Sequence, residues 1–194
     1  MLRYGRFSNL IILAVALGLL AGCSREGSDD APVYLERSVD RIYNTALNFL
    51  KIREYKAAAS EFDEVERQHP YSTWATKAQL MSAYAYYSDN SYPEAISGLE
   101  RFIQLHPAHK DTPYAYYLKA LSYYEQISDV GRDQEMTQRA LKSLREVVTR
   151  FPRTEYARDS KLKMDLTIDH LAGKEMNIGR YYQSKKQYLA AINR

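Results

Sequence analysis

The sequence predicts an all-α fold in which helical hairpins stack one on the next. Small and apolar residues recur at helical spacing with a step of 37 residues, and the units close with a proline. No stretch shows the sustained alternation of polar and apolar residues that indicates strands. The composition is globular, since 45% of the 194 residues are apolar and 26% are charged, and it includes 18 tyrosines and one cysteine.

Residues 1–22 have the layout of a secretory signal peptide. Arg3 and Arg6 precede an unbroken apolar run of 11 residues, Leu10–Leu20. A membrane-spanning helix needs about 20 apolar residues, so this run is too short to remain as a transmembrane anchor. Removal of the signal leaves 25 basic against 24 acidic residues, and so neutral a chain has no electrostatic reason to bind nucleic acid.

Cys23 directly follows the signal, and the order Leu-Ala-Gly-Cys matches the lipobox of bacterial lipoproteins. We expect cleavage before Cys23, a diacylglycerol on its sulfur and an acyl chain on the new amine; an ordinary cysteine after an ordinary signal is the alternative. Each buried lipid CH₂ contributes about 0.8 kcal/mol, so three chains hold a protein on a membrane. The small and polar residues of 23–33 predict a short lipid-anchored tether. Ser24 resembles the pattern for sorting to the outer membrane.

Two complete helical hairpins are predicted over residues 34–71 and 72–108. The recurring positions of the first unit are Ala46, Phe49, Tyr55, Ala58, Phe62, Val65 and Pro70. The second unit repeats them 37 residues later as Ala83, Tyr86, Tyr92, Ala95, Leu99, Phe102 and Pro107.

A third hairpin is predicted over residues 109–153 and a truncated fourth over 154–194. Ala120 keeps the step of 37, but the second helix of the third unit is displaced by 45, which places an inserted loop at 128–135. This charged loop is either a solvated connector or a docking projection. In the fourth unit, Gly179 and Tyr182 repeat the pattern of the first helix. We expect the last helix to expose apolar surface, because no further unit of this sequence covers it.

These intervals resemble the tetratricopeptide repeat (TPR), a hairpin of two helices, A and B, in which small residues lie at the crossing. Alanine at the crossing lets the helices approach closely, and larger residues fill the space between hairpins. Candidate N-caps are Ser72 or Thr73, Thr154, and Thr112, which precedes a proline at the first helical position. Gly173 and Gly179 lie in the long predicted helix and predict a bend in it.

A peptide groove is predicted because the A helices of a TPR array line its concave face. The residues one turn apart and away from the alanines are Tyr43, Leu47, Leu50, Leu80, Tyr84, Tyr87, Tyr114, Tyr117, Leu121 and Tyr124. Tyrosine offers a large rigid ring with a hydrogen-bonding tip, which suits aromatic or extended peptides. The alternative is that several of these rings belong to the core between repeats. Some TPR proteins hold the carboxylate of a peptide with lysine and asparagine side chains. Only Lys77 and Lys119 lie near the corresponding positions of this sequence.

The sequence offers no catalytic or metal-binding constellation. His69, His106 and His109 lie in turns and His170 lies on a long helix, and we expect all four at the surface. No HExxH motif, phosphate-binding glycine loop or nucleophile elbow is present. The protein is therefore predicted not to be an enzyme and to need no cofactor besides the lipid on Cys23.

From Cys23 to Arg194 the chain resembles the BamD (ComL) family of lipoproteins of the outer-membrane β-barrel assembly machinery. The resemblance rests on the lipobox, the repeat register, Asp111-Thr112-Pro113-Tyr114 after a His-Pro turn, the inserted loop and the run from Tyr181 to Arg194. It implies a periplasmic scaffold of five repeats on the outer membrane. The implied partners are the POTRA domains of BamA, other Bam lipoproteins and unfolded β-barrel clients bound in the amino-terminal groove.

Two points keep alternatives open. This chain ends within the fourth repeat, whereas the family attributes its BamA contact to the carboxyl-terminal half. TPR arrays also serve many scaffolds, so a lipoprotein of another envelope machine, for pilus secretin assembly or cell-division coordination, is the alternative function.

Overall fold

The computed structural model describes residues 36–194, and these form helices joined by turns and short loops. Residues 1–35, with the predicted signal peptide, Cys23 and the whole predicted tether, lie outside the described residues. In chain order the helices are α1 (Val39–Lys51), α2 (Tyr55–Gln68), α3 (Thr73–Ser88), α4 (Tyr92–Leu105), α5 (Thr112–Tyr124), α6 (Glu135–Arg150), α7 (Glu155–Ser184) and α8 (Tyr188–Ile192). No strand occurs in this range.

The helices stack as hairpins within the unit formed by residues 37–194. Each helix packs against the next, and α1 also contacts α3, α3 contacts α5, and α5 contacts α7. The odd-numbered helices therefore form one continuous layer, while α2, α4 and α6 each pack on their neighbours in that layer. This arrangement is the helical-hairpin solenoid that the repeat pattern predicts, and the prediction of an all-α fold is confirmed.

The alanines predicted at the helix crossings are buried. The crossing residues predicted from the repeat are at most 1% exposed, and they are Ala46, Ala58, Ala83, Ala95, Ala120 and Ala140. Phe62, Leu99, Phe102 and Leu144 are fully buried and fill the space between helices. Burying side chains of this size supplies about 1.5–3 kcal/mol each, so the stacking of hairpins supplies much of the stability.

Three turns between helices share one backbone conformation. Arg53, Asn90 and Lys186 have φ angles of 63°, 61° and 59°, in the left-handed region. The residue after each donates its N–H five residues back, as from Glu54 to Phe49 O at 2.9 Å. These are Schellman C-caps, in which the left-handed residue is usually glycine, so the three side chains are accommodated at some cost in free energy.

Two of the predicted N-caps are confirmed, and one prediction is wrong. The Ser72 hydroxyl accepts the Ala75 N–H at 3.1 Å, and Thr154 accepts the Ala157 N–H at 3.2 Å. Thr112 is instead the first residue of α5, and its buried hydroxyl donates to the backbone carbonyl of His106 at 2.8 Å. This bond holds the preceding turn against the helix start.

Helix α7 runs without interruption through Gly173 and Gly179. The loop before α6 packs onto it, because a Cβ added to Gly173 would lie 3.4 Å from a Val130 methyl group. Lys174 Nζ donates to the Arg132 carbonyl at 2.8 Å, and Gln134 is buried. The loop therefore packs on the helix through Val130 and Gln134, while Asp129, Arg132 and Asp133 stay exposed, and its role as a connector or a docking projection stays a prediction.

The turn histidines are half-buried rather than exposed, which corrects the sequence expectation. His69 Nε2 lies 2.6 Å from the Arg37 carbonyl. His106 and His109 pack on Phe102 with ring centroids 5.3 and 5.6 Å apart. These imidazoles therefore pack at the turns that end the hairpins.

In residues 36–194 no helix combines the length and the apolar character needed to cross a membrane. Several large apolar side chains on α7 and α8 are nevertheless exposed, and they are Leu162, Leu166, Ile168, Met176, Tyr181, Tyr188, Leu189 and Ile192.

Candidate peptide-binding site

Tyrosines from three consecutive odd-numbered helices lie side by side, and we call this set the tyrosine face. Its members are Tyr84 and Tyr87 of α3, Tyr114 and Tyr117 of α5, and Tyr156 of α7. Tyr84, Tyr87 and Tyr114 pack around the second core cluster, and Tyr117 and Tyr156 pack around the third. All five are half-buried, so each ring is fixed by the core while part of it stays open to solvent.

The rings of the tyrosine face on α5 and α7 contact one another across a hairpin boundary. Tyr117 stacks on Tyr156 with centroids 5.1 Å apart and an angle of 28° between the planes. Tyr114 lies 5.7 Å from Tyr156. At the other end, Tyr87 meets Tyr92 of α4 edge-on at 5.9 Å. Such aromatic pairs contribute about 0.5–1.5 kcal/mol each beyond burial, and they fix the rings before any ligand binds.

A polar group borders the tyrosine face on α7. The Tyr117 hydroxyl donates to Asp159 Oδ2 at 2.6 Å, and Lys163 Nζ lies 2.9 Å from the same oxygen. Lys163 also lies 5.6 Å from the centroid of the Tyr124 ring, within range of a cation–π contact. This part of the face therefore offers one cation and one carboxylate beside apolar rings.

The environment holds these phenols in their neutral form. Burial is the main reason that the pKa of Tyr114 rises to about 12. Burial and then the hydrogen bond to Asp159 raise the pKa of Tyr117. For Asp159, burial disfavours the charged form, but the Tyr117 and Lys163 hydrogen bonds outweigh it and lower the pKa. Near neutral pH the site thus presents hydroxyl donors and an ionised carboxylate.

Two residues of the predicted groove are core residues, and their assignment to the surface is wrong. Tyr43 is 3% exposed, because Phe62 lies 5.3 Å from its ring and Trp74 of the next hairpin covers it at 4.8 Å. Leu80 is 8% exposed and belongs to the second core cluster. The alternative reading, that some rings pack between repeats, holds at these positions.

The remaining predicted residues are half-buried. Leu47 and Leu50 pack against the first core cluster, Leu121 against the second and Tyr124 against the third. Lys77, considered for a peptide carboxylate, lies 5.4 Å from the Tyr43 ring centroid, and Lys119 lies 3.9 Å from Glu100. Both lysines thus already have a ring or a carboxylate as partner.

Sequence reasoning missed the contribution of α7. Tyr156, Asp159 and Lys163 follow an i, i+3, i+7 spacing that places them on one helix face. That spacing could have been found in the sequence, but the long helix was assigned mainly from its length and glycines. Within residues 36–194 no group of His, Cys, Asp or Glu is suited to hold a metal.

A solenoid of TPR-type hairpins with half-buried phenol rings on successive odd-numbered helices defines a class, that of the helical-repeat proteins. Comparison with known proteins gives the family. Residues 36–194 match the YfiO family, described as outer membrane lipoprotein. The chain is 47% identical over 190 residues to the outer membrane protein assembly factor BamD of Caulobacter vibrioides, covering 98% of this chain and 62% of that relative.

Other relatives carry the same name. BamD of Rickettsia prowazekii is 47% identical over 96% of this chain and 72% of its own length. BamD of Neisseria gonorrhoeae is 34% identical over 95% of this chain and 74% of its own length. The chain therefore belongs to the YfiO family of outer membrane lipoproteins. It spans 62–74% of the length of these BamD relatives. The family is one of assembly factors rather than enzymes, as the sequence predicts.

Proposed function

We propose that this protein is a scaffold for assembling β-barrel proteins into the outer membrane, and that it holds client segments on the tyrosine face. Membership of a family whose relatives are named as outer membrane protein assembly factors supports the general role. The observation that carries the proposed site is the continuity of the phenol rings from α3 across α5 to α7.

The tyrosine face suits the end of an unfolded barrel strand. Such a segment alternates apolar and polar side chains and leaves its backbone groups unpaired, so it needs both apolar rings and hydrogen-bond partners. The half-buried rings of the tyrosine face offer the apolar contacts. The Tyr117 hydroxyl, Asp159 and Lys163 offer the hydrogen-bond partners. Because the rings are already fixed by their neighbours, binding costs little side-chain entropy.

The proposed test measures binding of a fluorescent barrel-strand peptide that ends in phenylalanine. Tyr84→Ala combined with Tyr117→Ala should weaken binding by more than about 1 kcal/mol, which is at least about fivefold in the dissociation constant. Replacing the peptide's terminal phenylalanine by alanine should have a similar effect.

Tyr116 provides the matched control. It lies on the same helix as Tyr117, is also half-buried and packs on Phe151 at 5.3 Å, outside the tyrosine face. Tyr116→Ala should leave the affinity within twofold of the unsubstituted protein. Equal losses in both variants, or no loss in the double variant while it stays folded by circular dichroism, would refute the site.

The partners and location are part of the proposal. We place the protein on the periplasmic face of the outer membrane, beside the POTRA domains of BamA and other Bam lipoproteins. Exposed apolar residues of α7 and α8, among them Leu162 and Leu189, are available for such contacts. Co-purification of BamA with the tagged protein from envelope membranes tests this, and recovery of a secretin instead would favour pilus assembly.

The lipid anchor rests on Cys23, which lies outside the described residues. Cys23→Ser removes the thiol that would carry the diacylglycerol, so the variant should take up no labelled palmitate and should leave the membrane fraction. Ser24→Ala changes the neighbouring side chain without touching the thiol and should keep both properties. Membrane attachment of the Cys23→Ser protein would contradict the anchor.

A further inference from the structure

A second concave surface lies away from the tyrosine face, over α3 and between α2 and α4. It is a groove of about 840 Å³, and we call it the acidic groove. The residues that matter here are Asp63 and Glu66 of α2, Gln79 of α3, and Glu94, Ser97 and Arg101 of α4. Since helices rise 1.5 Å per residue, the α4 wall from Pro93 to Arg101 is about 12 Å long, room for about four residues of extended chain.

The floor of the acidic groove contains an unsatisfied acceptor. Gln79 is 5% exposed, and its Nε2 donates to Glu66 Oε1 at 3.1 Å. That bond identifies the other amide atom as the oxygen, and Gln79 Oε1 is buried with no hydrogen-bond partner among the described residues. Buried polar groups are nearly always paired, so an unpaired carbonyl beside a groove indicates a missing donor.

The groove also carries negative charge that the fold does not neutralise. Asp63 accepts hydrogen bonds from the Ser82 and Tyr86 hydroxyls, and no cation pairs with it in residues 36–194. Glu94 is exposed in the first turn of α4 and forms no ion pair in the same range.

The arginines of the groove do not offset these two acids. Arg101 pairs with Glu66, and Arg67 pairs with Glu64. Each arginine thus already has a carboxylate of its own, which leaves Asp63 and Glu94 to attract a further cation.

We propose that the acidic groove binds an extended segment of a partner protein through an arginine side chain, which lies against Asp63 and Glu94 while an N–H of the segment reaches Gln79. Arginine suits this site better than lysine because its planar group carries five donors and can meet several acceptors at once. The groove's length favours a chain segment, since a single amino acid would leave most of the α4 wall uncovered. This surface differs from the proposed client site, so the two can be tested separately.

The test uses the whole protein and a defined probe, a fluorescent Ser/Arg peptide, beside the same peptide with citrulline for arginine. Citrulline keeps the shape but removes the charge. The arginine peptide should bind at least fivefold more tightly than the citrulline peptide. The double variant Asp63→Asn with Glu94→Gln should bind the arginine peptide at least fivefold more weakly than the unsubstituted protein does. Glu94→Gln alone changes an exposed residue without a partner, so it should fold and should still weaken binding at least twofold.

The control variant is Asp165→Asn with Asp169→Asn, which removes two exposed acids of α7 far along the chain from the groove. It should change the affinity less than twofold. Equal losses in the control and groove variants would reduce the effect to net charge and overturn the site. Equal binding of the citrulline peptide would overturn the arginine, and spermidine binding as tightly as the peptide would overturn the protein segment. Tyr84→Ala with Tyr117→Ala should not affect this probe, so failure here leaves the client site untouched.

Discussion

At the scale of single residues, the tyrosines of this protein do more than fill space. Tyr86 donates to Asp63 at 2.9 Å, and Tyr117 donates to Asp159 at 2.6 Å, so two phenols each hold a carboxylate of another helix in place. Tyr114 is held mainly by its ring neighbours. Each arrangement requires the neutral phenol, because a phenolate beside a carboxylate or in an apolar cluster is disfavoured.

This requirement predicts a loss of stability at alkaline pH. The pKa of Tyr114 is raised to about 12 in the folded protein, against about 10 in an unfolded chain. A raised pKa stabilises the fold fully below about pH 10, and the contribution is lost as the pH rises towards 12. Tyr114→Phe has no proton to lose, so its free energy of unfolding should fall less steeply over this window.

Urea unfolding followed by the fluorescence of Trp74, the single tryptophan, measures the effect. Tyr71→Phe, at a fully exposed tyrosine, is the control and should behave like the unsubstituted protein. A Tyr114→Phe protein that loses stability as steeply as the control would show that this phenol is not held neutral by folding.

At the scale of helices, the ends are fixed by different means. Helices α3 and α7 begin with hydroxyl caps, whereas Ser91, at the equivalent position of α4, turns its hydroxyl to Asp89 at 2.8 Å. A cap matters because the first four N–H groups of a helix have no partner within it. The hydroxyl of Ser72 satisfies one of these groups and that of Ser91 does not.

Ser72→Ala should therefore cost about 1 kcal/mol of stability. Ser91→Ala removes the same atoms from the same kind of position without removing a cap, and it should cost less than half as much. Urea unfolding of the two variants gives the comparison directly. Equal losses in the free energy of unfolding of the two variants would contradict a stabilising role for the hydrogen bond from the Ala75 N–H to the Ser72 hydroxyl.

The helices could be predicted from the sequence better than their turns. Alanine spacing and the repeated prolines are strong signals, and the alanines are buried as predicted. The left-handed turn at Arg53 carries neither glycine nor asparagine, so no local signal marks it. Thr112 was misread because a hydroxyl before a proline fits an N-cap equally well, and only the position of the His106 carbonyl decides.

At the scale of the whole solenoid, burial depends on contacts between hairpins that no single repeat specifies. Tyr43 and Tyr117 occupy the same repeat position, two steps of 37 residues apart, yet Tyr43 is covered by Trp74 while Tyr117 stays half-buried. The repeat pattern gives the helix face but not the neighbour's side chain. The sequence could thus place the proposed binding surface on the odd-numbered helices, but it could not decide which rings remain accessible.

The central claim is that client segments bind across the odd-numbered helices. A barrel-strand peptide with photoreactive benzoylphenylalanine as its last residue, irradiated with the whole protein, tests this most directly, because mass spectrometry locates each attachment. The account predicts attachment on α3, α5 and the first half of α7, at or beside Tyr84, Tyr87, Tyr114, Tyr117 and Tyr156. Attachment confined to α2, α4 and α6 would contradict it.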